Sequence, residues 1–152
     1  MNRLVNTCFI GGSTPASLVA DLGFAVLRVT AGLMMAIAHG FQKTPPPEPF
    51  VDSVEAMGFP VPIVFAWAAA LSESLGGLLL AAGLFTRPAA LFIFGTMCVA
   101  GFVRHADDPF GEKELAFLYA AVMFAFMLAG SGRYSLDGLV RAGLGKEDRK
   151  KK

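Results

Sequence analysis

The sequence predicts an all-α fold, an integral membrane four-helix bundle with both termini in the cytoplasm. Three observations carry this. Hydrophobic residues make up 55% of the chain and charged residues 16%, with a mean hydropathy of +0.57, whereas soluble domains run at roughly 45–50% apolar and about 25% charged. The apolar residues gather in four segments, each near the ~20 residues that cross ~30 Å of hydrocarbon as a helix. Lys and Arg collect on one side of those segments, as they do in cytoplasmic loops.

The first span runs from about 18 to 40 and is approached through Ser13-Thr14-Pro15, a cap followed by a helix-starting proline. The second, about 62–85, also opens on proline. The third, about 88–103, and the fourth, about 115–130, carry no charge and are apolar all round. A soluble bundle needs a polar face on each helix, and these two segments offer none. The first two depart from the pattern only through Arg28 and Glu73.

Charge sets the orientation. After the fourth span come Arg133, Arg141, Lys146, Arg149, Lys150, Lys151 and Lys152 against three acids; Arg3 precedes the first span and Arg87 lies in the turn between spans two and three. The other two loops are acidic on balance, so loops 41–61 and 104–114 are expected to face outward. The domain reading is a cytoplasmic segment at 1–17, the four-helix domain at 18–132 and a basic cytoplasmic tail at 133–152. In the first outer loop, TPPPEPF is too rich in proline for a regular helix. Beyond it, Phe50, Val54 and Met57 at helical spacing suggest a short helix on the membrane surface.

Several function classes find no support. Cys8 and Cys98 make no disulfide framework or redox pair, and Cys98 reads as a buried free thiol. There is no phosphate-cradling glycine loop and no Ser-His-Asp set. The first apolar segment is too long for a cleavable signal peptide. The tail KEDRKKK is a topology signal or a lipid contact rather than a nucleic-acid site.

An ionisable residue at membrane depth is costly and faces a partner or a cavity. Arg28 lies about ten residues in from Leu18 and Glu73 about eleven from Pro62, so at 1.5 Å per residue both fall near mid-membrane. An Arg28–Glu73 pair is therefore expected. Arg28, Gly32, Ala36 and His39 share one helix face; Ala66, Ala69, Ala70, Glu73, Gly76 and Gly77 form a stripe of small residues that lets backbones approach. Such a pair either fixes the bundle or floors a cavity where Glu73 handles protons. At the outer ends, His39, His105 and Glu114 fall at one surface. Two imidazoles and a carboxylate can hold a metal, pass protons to a quinone, or simply reach water; no local spacing motif ties them together, and no metal site is assigned.

The segments HGFQK, ESLGGLLLAAGLFTRPAAL and ELAFLYAAVMFAFMLAGSGRYSLD resemble the DoxX family of small four-helix membrane proteins, over roughly residues 18–140. By that resemblance Arg28, His39, Gly40, Lys43, Glu73, Gly76, Gly77, Arg87, Glu114 and Arg133 fall on recurring family positions. The family takes its name from a subunit of an archaeal membrane complex that oxidises thiosulfate and delivers electrons to quinone. Other members are linked to oxidative or thiol stress at the membrane.

The leading expectation is thus a bacterial inner-membrane subunit of a quinone-linked redox system. Arg28 and Glu73 would be its catalytic pair, with His39, Lys43, His105 and Glu114 holding the quinone. The expected partners are the lipid bilayer, a soluble or membrane oxidoreductase that owns the redox centre, and a second copy of the chain, with no nucleic acid. A non-enzymatic assembly or anchoring protein is the alternative, and a small-solute carrier fits less well because four spans leave little room for alternating access.

Overall fold

The computed structural model describes residues 18–142. The expectations for Arg3, Cys8, the Ser13-Thr14-Pro15 cap and the tail from 143 onward lie outside the described residues. Among the described residues six helices follow one another. α1, Leu18–Met34, continues as a wider π-helical turn at Met35–Gly40 and a 3-10 turn at Phe41–Lys43. Then come α2, Glu48–Ala56, and α3, Pro62–Ala82. α4, Thr86–Val99, is extended by a π-helical segment at Ala100–Arg104; α5 is Phe110–Ala129 and α6 the short helix 136–142. Among the described residues there is no strand.

Three of these helices are long and apolar enough to cross a bilayer: 18–43, 62–82 and 86–104. The single charges Arg28 and Glu73 do not disqualify their helices. α5 has 20 residues but starts five residues earlier than the apolar run, at Phe110 after Pro109, and so takes Glu112, Lys113 and Glu114 into its first turns. It is uncharged from Leu115 on.

Glycine sets how these helices meet. α1 runs antiparallel to α3, and a methyl group added at Gly32 would lie 2.6 Å from the backbone of Gly77 and Ala81. One at Gly77 would lie 2.8 Å from the backbone of Gly32 and Ala36, and one at Gly40 would overlap the backbone of Ser74. The small-residue stripes thus bring two backbones into contact, as in other helix pairs in lipid. α3 then packs on α4 and α4 on α5. The core between them holds Met35, Leu80, Ile93, Met123 and Phe126, all fully buried, and Phe24 closes α1 onto Phe126 at 4.8 Å between ring centroids. The outer faces are also apolar: Leu22 and Val26 on α1, Leu71 and Leu75 on α3, and Phe92 and Phe102 on α4 are exposed. A chain apolar both inside and outside suits a hydrocarbon solvent and not water.

This register overturns the expected Arg28–Glu73 pair. Gly32 faces Ala81 and Gly40 faces Ser74, which places Arg28 level with the end of α3 and Glu73 level with Gly40. The two are separated by about twelve residues of helix, on the order of 18 Å. Counting inward from hydropathy edges fails because α1 does not stop at Gly40 and its ends are not level with those of α3. Instead Arg28, only 2% exposed, donates from Nη2 to the Tyr134 carbonyl at 2.7 Å, near Asp137.

Asp137 anchors a knot at that end of the bundle. Gly83, at φ 67°, closes α3, with the Leu84 N–H donating to the Leu79 carbonyl at 2.9 Å. Phe85 follows in the left-handed region at φ 49°, a conformation that bulky side chains rarely adopt. The Asp137 carboxylate accepts from the Phe85 N–H at 3.0 Å and the Thr86 N–H at 3.1 Å, and its own N–H donates to Gly83 O at 2.8 Å. A residue fifty positions downstream thereby caps α4, where a carboxylate also meets the positive end of the helix.

Candidate functional site

At the other end, α1 stops short of α3. Its last turn, with Lys43, comes level with the middle of α3, and the chain then leaves helix at Thr44. Irregular backbone at membrane depth is stable where it is buried in protein or lines a cavity. Both hold here: Thr44 Oγ1 donates to the Gly40 carbonyl at 2.9 Å and lies 3.2 Å from Ser74 Oγ, and α2 packs back against α3. The Phe50, Val54 and Met57 face, expected to rest on the membrane surface, instead turns toward the bundle. Val54 is 4% exposed, because α1, displaced along α3 so that it ends level with its middle, leaves a space for it to fill.

The result is a cavity of about 760 Å³ between α2, α3 and α4, within the roughly 300–1,000 Å³ of small-ligand sites. Its walls are mostly apolar, with Phe50, Val54, Met57 and Phe59 on one side and Phe65, Ala68, Leu91, Phe92 and Gly95 on the other. Its polar groups are few. Glu73, 1% exposed, is held by Lys43, whose Nζ donates to Oε1 at 2.8 Å and Oε2 at 2.7 Å. The Lys43 ammonium also lies 5.3 Å from the Phe50 ring centroid, a cation–π distance. Ser72 and Thr96 share a hydrogen bond at 2.6 Å across α3 and α4. Arg104 and His105 line the rim, and His105 Nδ1 is 2.7 Å from Asp108 Oδ2.

Gly40 makes this arrangement possible. Only a residue without Cβ lets the end of α1 press against Ser74, and that contact puts Lys43 within reach of Glu73. The two π-helical segments, Met35–Gly40 and Ala100–Arg104, occur in the C-terminal turns of α1 and α4; such insertions are frequent at functional sites.

Of the residues singled out from sequence, Lys43, Glu73 and His105 come together in the cavity, and the others do not. Arg28 belongs to the knot at the opposite end. His39, in the π-helical turn, turns toward α5, edge-on to Tyr119 with ring centroids 5.9 Å apart. Glu114 is exposed. The outer His39–His105–Glu114 group is therefore dispersed, and no cluster of His, Cys, Asp and Glu suited to a metal occurs among the described residues. Cys98 is half-buried, less enclosed than its apolar run implied. Sequence reasoning missed Ser72, Thr96 and Arg104. Thr96 alone carried a signal, as a hydroxyl inside an otherwise apolar run.

The sequence matches the DoxX family over residues 23–106. It is 30% identical over 127 residues to the inner membrane protein YqjF of Escherichia coli (strain K12), covering 81% of this chain and 90% of that protein. It is likewise 30% identical to the inner membrane protein YphA of the same strain over 118 residues, 70% of this chain and 83% of the relative. An uncharacterised protein of Haemophilus influenzae shares 33% identity over 121 residues, 74% of this chain and 87% of the relative. No solved structure matches at a significant level.

Proposed function

Since the chain belongs to the DoxX family and is a multi-pass protein of the bacterial inner membrane, we propose that it is the membrane subunit of a quinone-linked redox system, with the α2–α3–α4 cavity as the quinone site. One observation carries the reading: a mostly apolar cavity at membrane depth has a buried carboxylate and an ammonium paired in its wall. An aromatic ring suits the Phe-lined walls, and its carbonyl oxygens require donors that Lys43 supplies.

Bound quinone supplies a couple of two electrons and two protons. The chain's residues do the rest. An ammonium has three N–H donors, so Lys43 can keep its two bonds to Glu73 and present the third to a carbonyl oxygen. Glu73 accepts or returns a proton at its carboxylate, within hydrogen-bonding reach of the Lys43 ammonium. His105, fixed by Asp108 at the rim, passes protons between the cavity and water. Arg28, remote from the cavity, has no role in this chemistry. The electrons go to or come from a redox centre on a partner oxidoreductase, since the sequence carries no haem, flavin or iron–sulfur pattern.

In the same proposal α5 is a fourth crossing and both termini are cytoplasmic, which turns α2 and the cavity rim outward. A fluorescent-protein fusion at the C-terminus should glow and an alkaline phosphatase fusion there should be inactive; the reverse would invert the topology. For the site, purified protein is extracted with organic solvent and its quinone quantified. Near-stoichiometric quinone that falls in Glu73→Gln and Lys43→Met supports the assignment. Quinone no higher than the lipid background would move it to an anchoring protein for a partner enzyme.

A further inference from the structure

α4 turns two different faces to its surroundings. Ala89, Ala90, Ile93 and Met97 are buried in the core. Gly95 stands two residues from both Ile93 and Met97, about 200° around the helix from each, and so points away from the core. A side chain at Gly95 would meet nothing within 4 Å, yet Gly95 lines the cavity. The cavity is therefore continuous with the outer surface of the bundle at this point. It also runs deep: from Arg104 at the rim to Leu91 is about 20 Å along α4, much of the ~30 Å hydrocarbon thickness.

The polar groups do not extend that far. Leu91 lies five residues, about 8 Å, beyond the level of the Ser72–Thr96 bond. That deep part of the α4 wall is Leu91, Phe92 and Gly95, and Leu91 and Phe92 are 50% and 65% exposed. The opposite wall is closed by α2 with Phe50, Val54 and Met57. The α4 side is therefore open at its apolar, exposed surface, while α2 closes the side across from it.

We infer that the ligand is a membrane-dissolved, long-chain molecule that reaches the cavity sideways from the bilayer. It passes over the exposed face of α4 at Gly95, leaving its isoprenoid tail along Leu91 and Phe92. The inference rests on the quinone reading of the cavity and adds the ligand class and its route. A flexible tail lying along an apolar wall stays in an apolar environment throughout, so no apolar surface is exposed to water during binding. Gly95 is the one wall position on α4 where the absence of a side chain keeps the groove open.

The test compares wild type, Gly95→Ala and Gly95→Phe. Since the space around Gly95 is empty, each variant should fold, which thermal melting in detergent checks. Two readouts follow: the native long-chain quinone extracted from protein purified from membranes, and equilibrium binding of tailless 2,3-dimethoxy-5-methylbenzoquinone. The inference expects Gly95→Phe to lose the long-chain quinone while still binding the tailless one, with Gly95→Ala like wild type. Long-chain quinone retained in full by Gly95→Phe would overturn the lateral route. Loss of both ligands would overturn it too, by placing the new ring in the head-group space. Wild type that binds neither would refute the quinone site itself, and is thereby distinguished from failure of the route.

Discussion

Replacing Lys43 with Ala should strip Glu73 of its partner and leave a carboxylate that is 1% exposed with no counter-charge. Removing one member of a fully buried pair costs about 3–5 kcal/mol. The Lys43 side chain is 31% exposed, so water offsets part of this, and the lower end, about 3 kcal/mol, is expected. Glu73→Gln, which removes the charge but keeps the shape, should cost less. The assay is reversible unfolding of the single and double variants in one detergent. The double variant should lose less than the sum of the singles, with a coupling of about 1–3 kcal/mol. Arg28→Met, on the order of 18 Å away along the helices, should add to Glu73→Gln without coupling. Coupling between Arg28 and Glu73, or none between Lys43 and Glu73, would refute the register on which the site is built.

Three further outcomes follow from the packing. Gly77→Ala should cost about 1–3 kcal/mol because its methyl meets the α1 backbone, whereas Gly23→Ala, with open space around it, should be neutral or stabilising by up to about 1 kcal/mol; thermal melts separate the two. Asp137→Ala removes the acceptor of the Phe85 and Thr86 N–H groups and should cost about 3 kcal/mol, with Asp137→Asn recovering part of it. Val54→Ala should loosen α2 from the bundle at a cost of about 1–2 kcal/mol, read as faster backbone hydrogen exchange in 48–56 than in wild type.

Much of this was legible in the sequence, and the failures share a cause. Glu73 stood out because a charge amid apolar residues has few acceptable settings, and Lys43 through the resemblance carried by HGFQK. The small-residue faces were right as well, since Gly32, Ala36 and Gly77 do meet, although His39, expected on the same face, turns toward α5. Depth was not legible. Hydropathy marks where a span begins only to within a turn or two, and α1 ends level with the middle of α3 rather than beside its first turn. Only the glycine contacts reveal that offset, and it is what exchanges Arg28 for Lys43 as the partner of Glu73. The Phe50, Val54 and Met57 stripe was visible too, but the space it fills exists only because α1 is offset along α3. Asp137 gave no local sign of its role, since its partners, Phe85 and Thr86, are distant in sequence.

Photolabelling with an azido-quinone, followed by mass-spectrometric mapping, tests the quinone site most directly. The account predicts adducts confined to 43–59 and 91–105, competed away by unlabelled long-chain quinone and lost in Glu73→Gln. Labelling spread over the lipid-facing surfaces of all helices, with no competition, would contradict it.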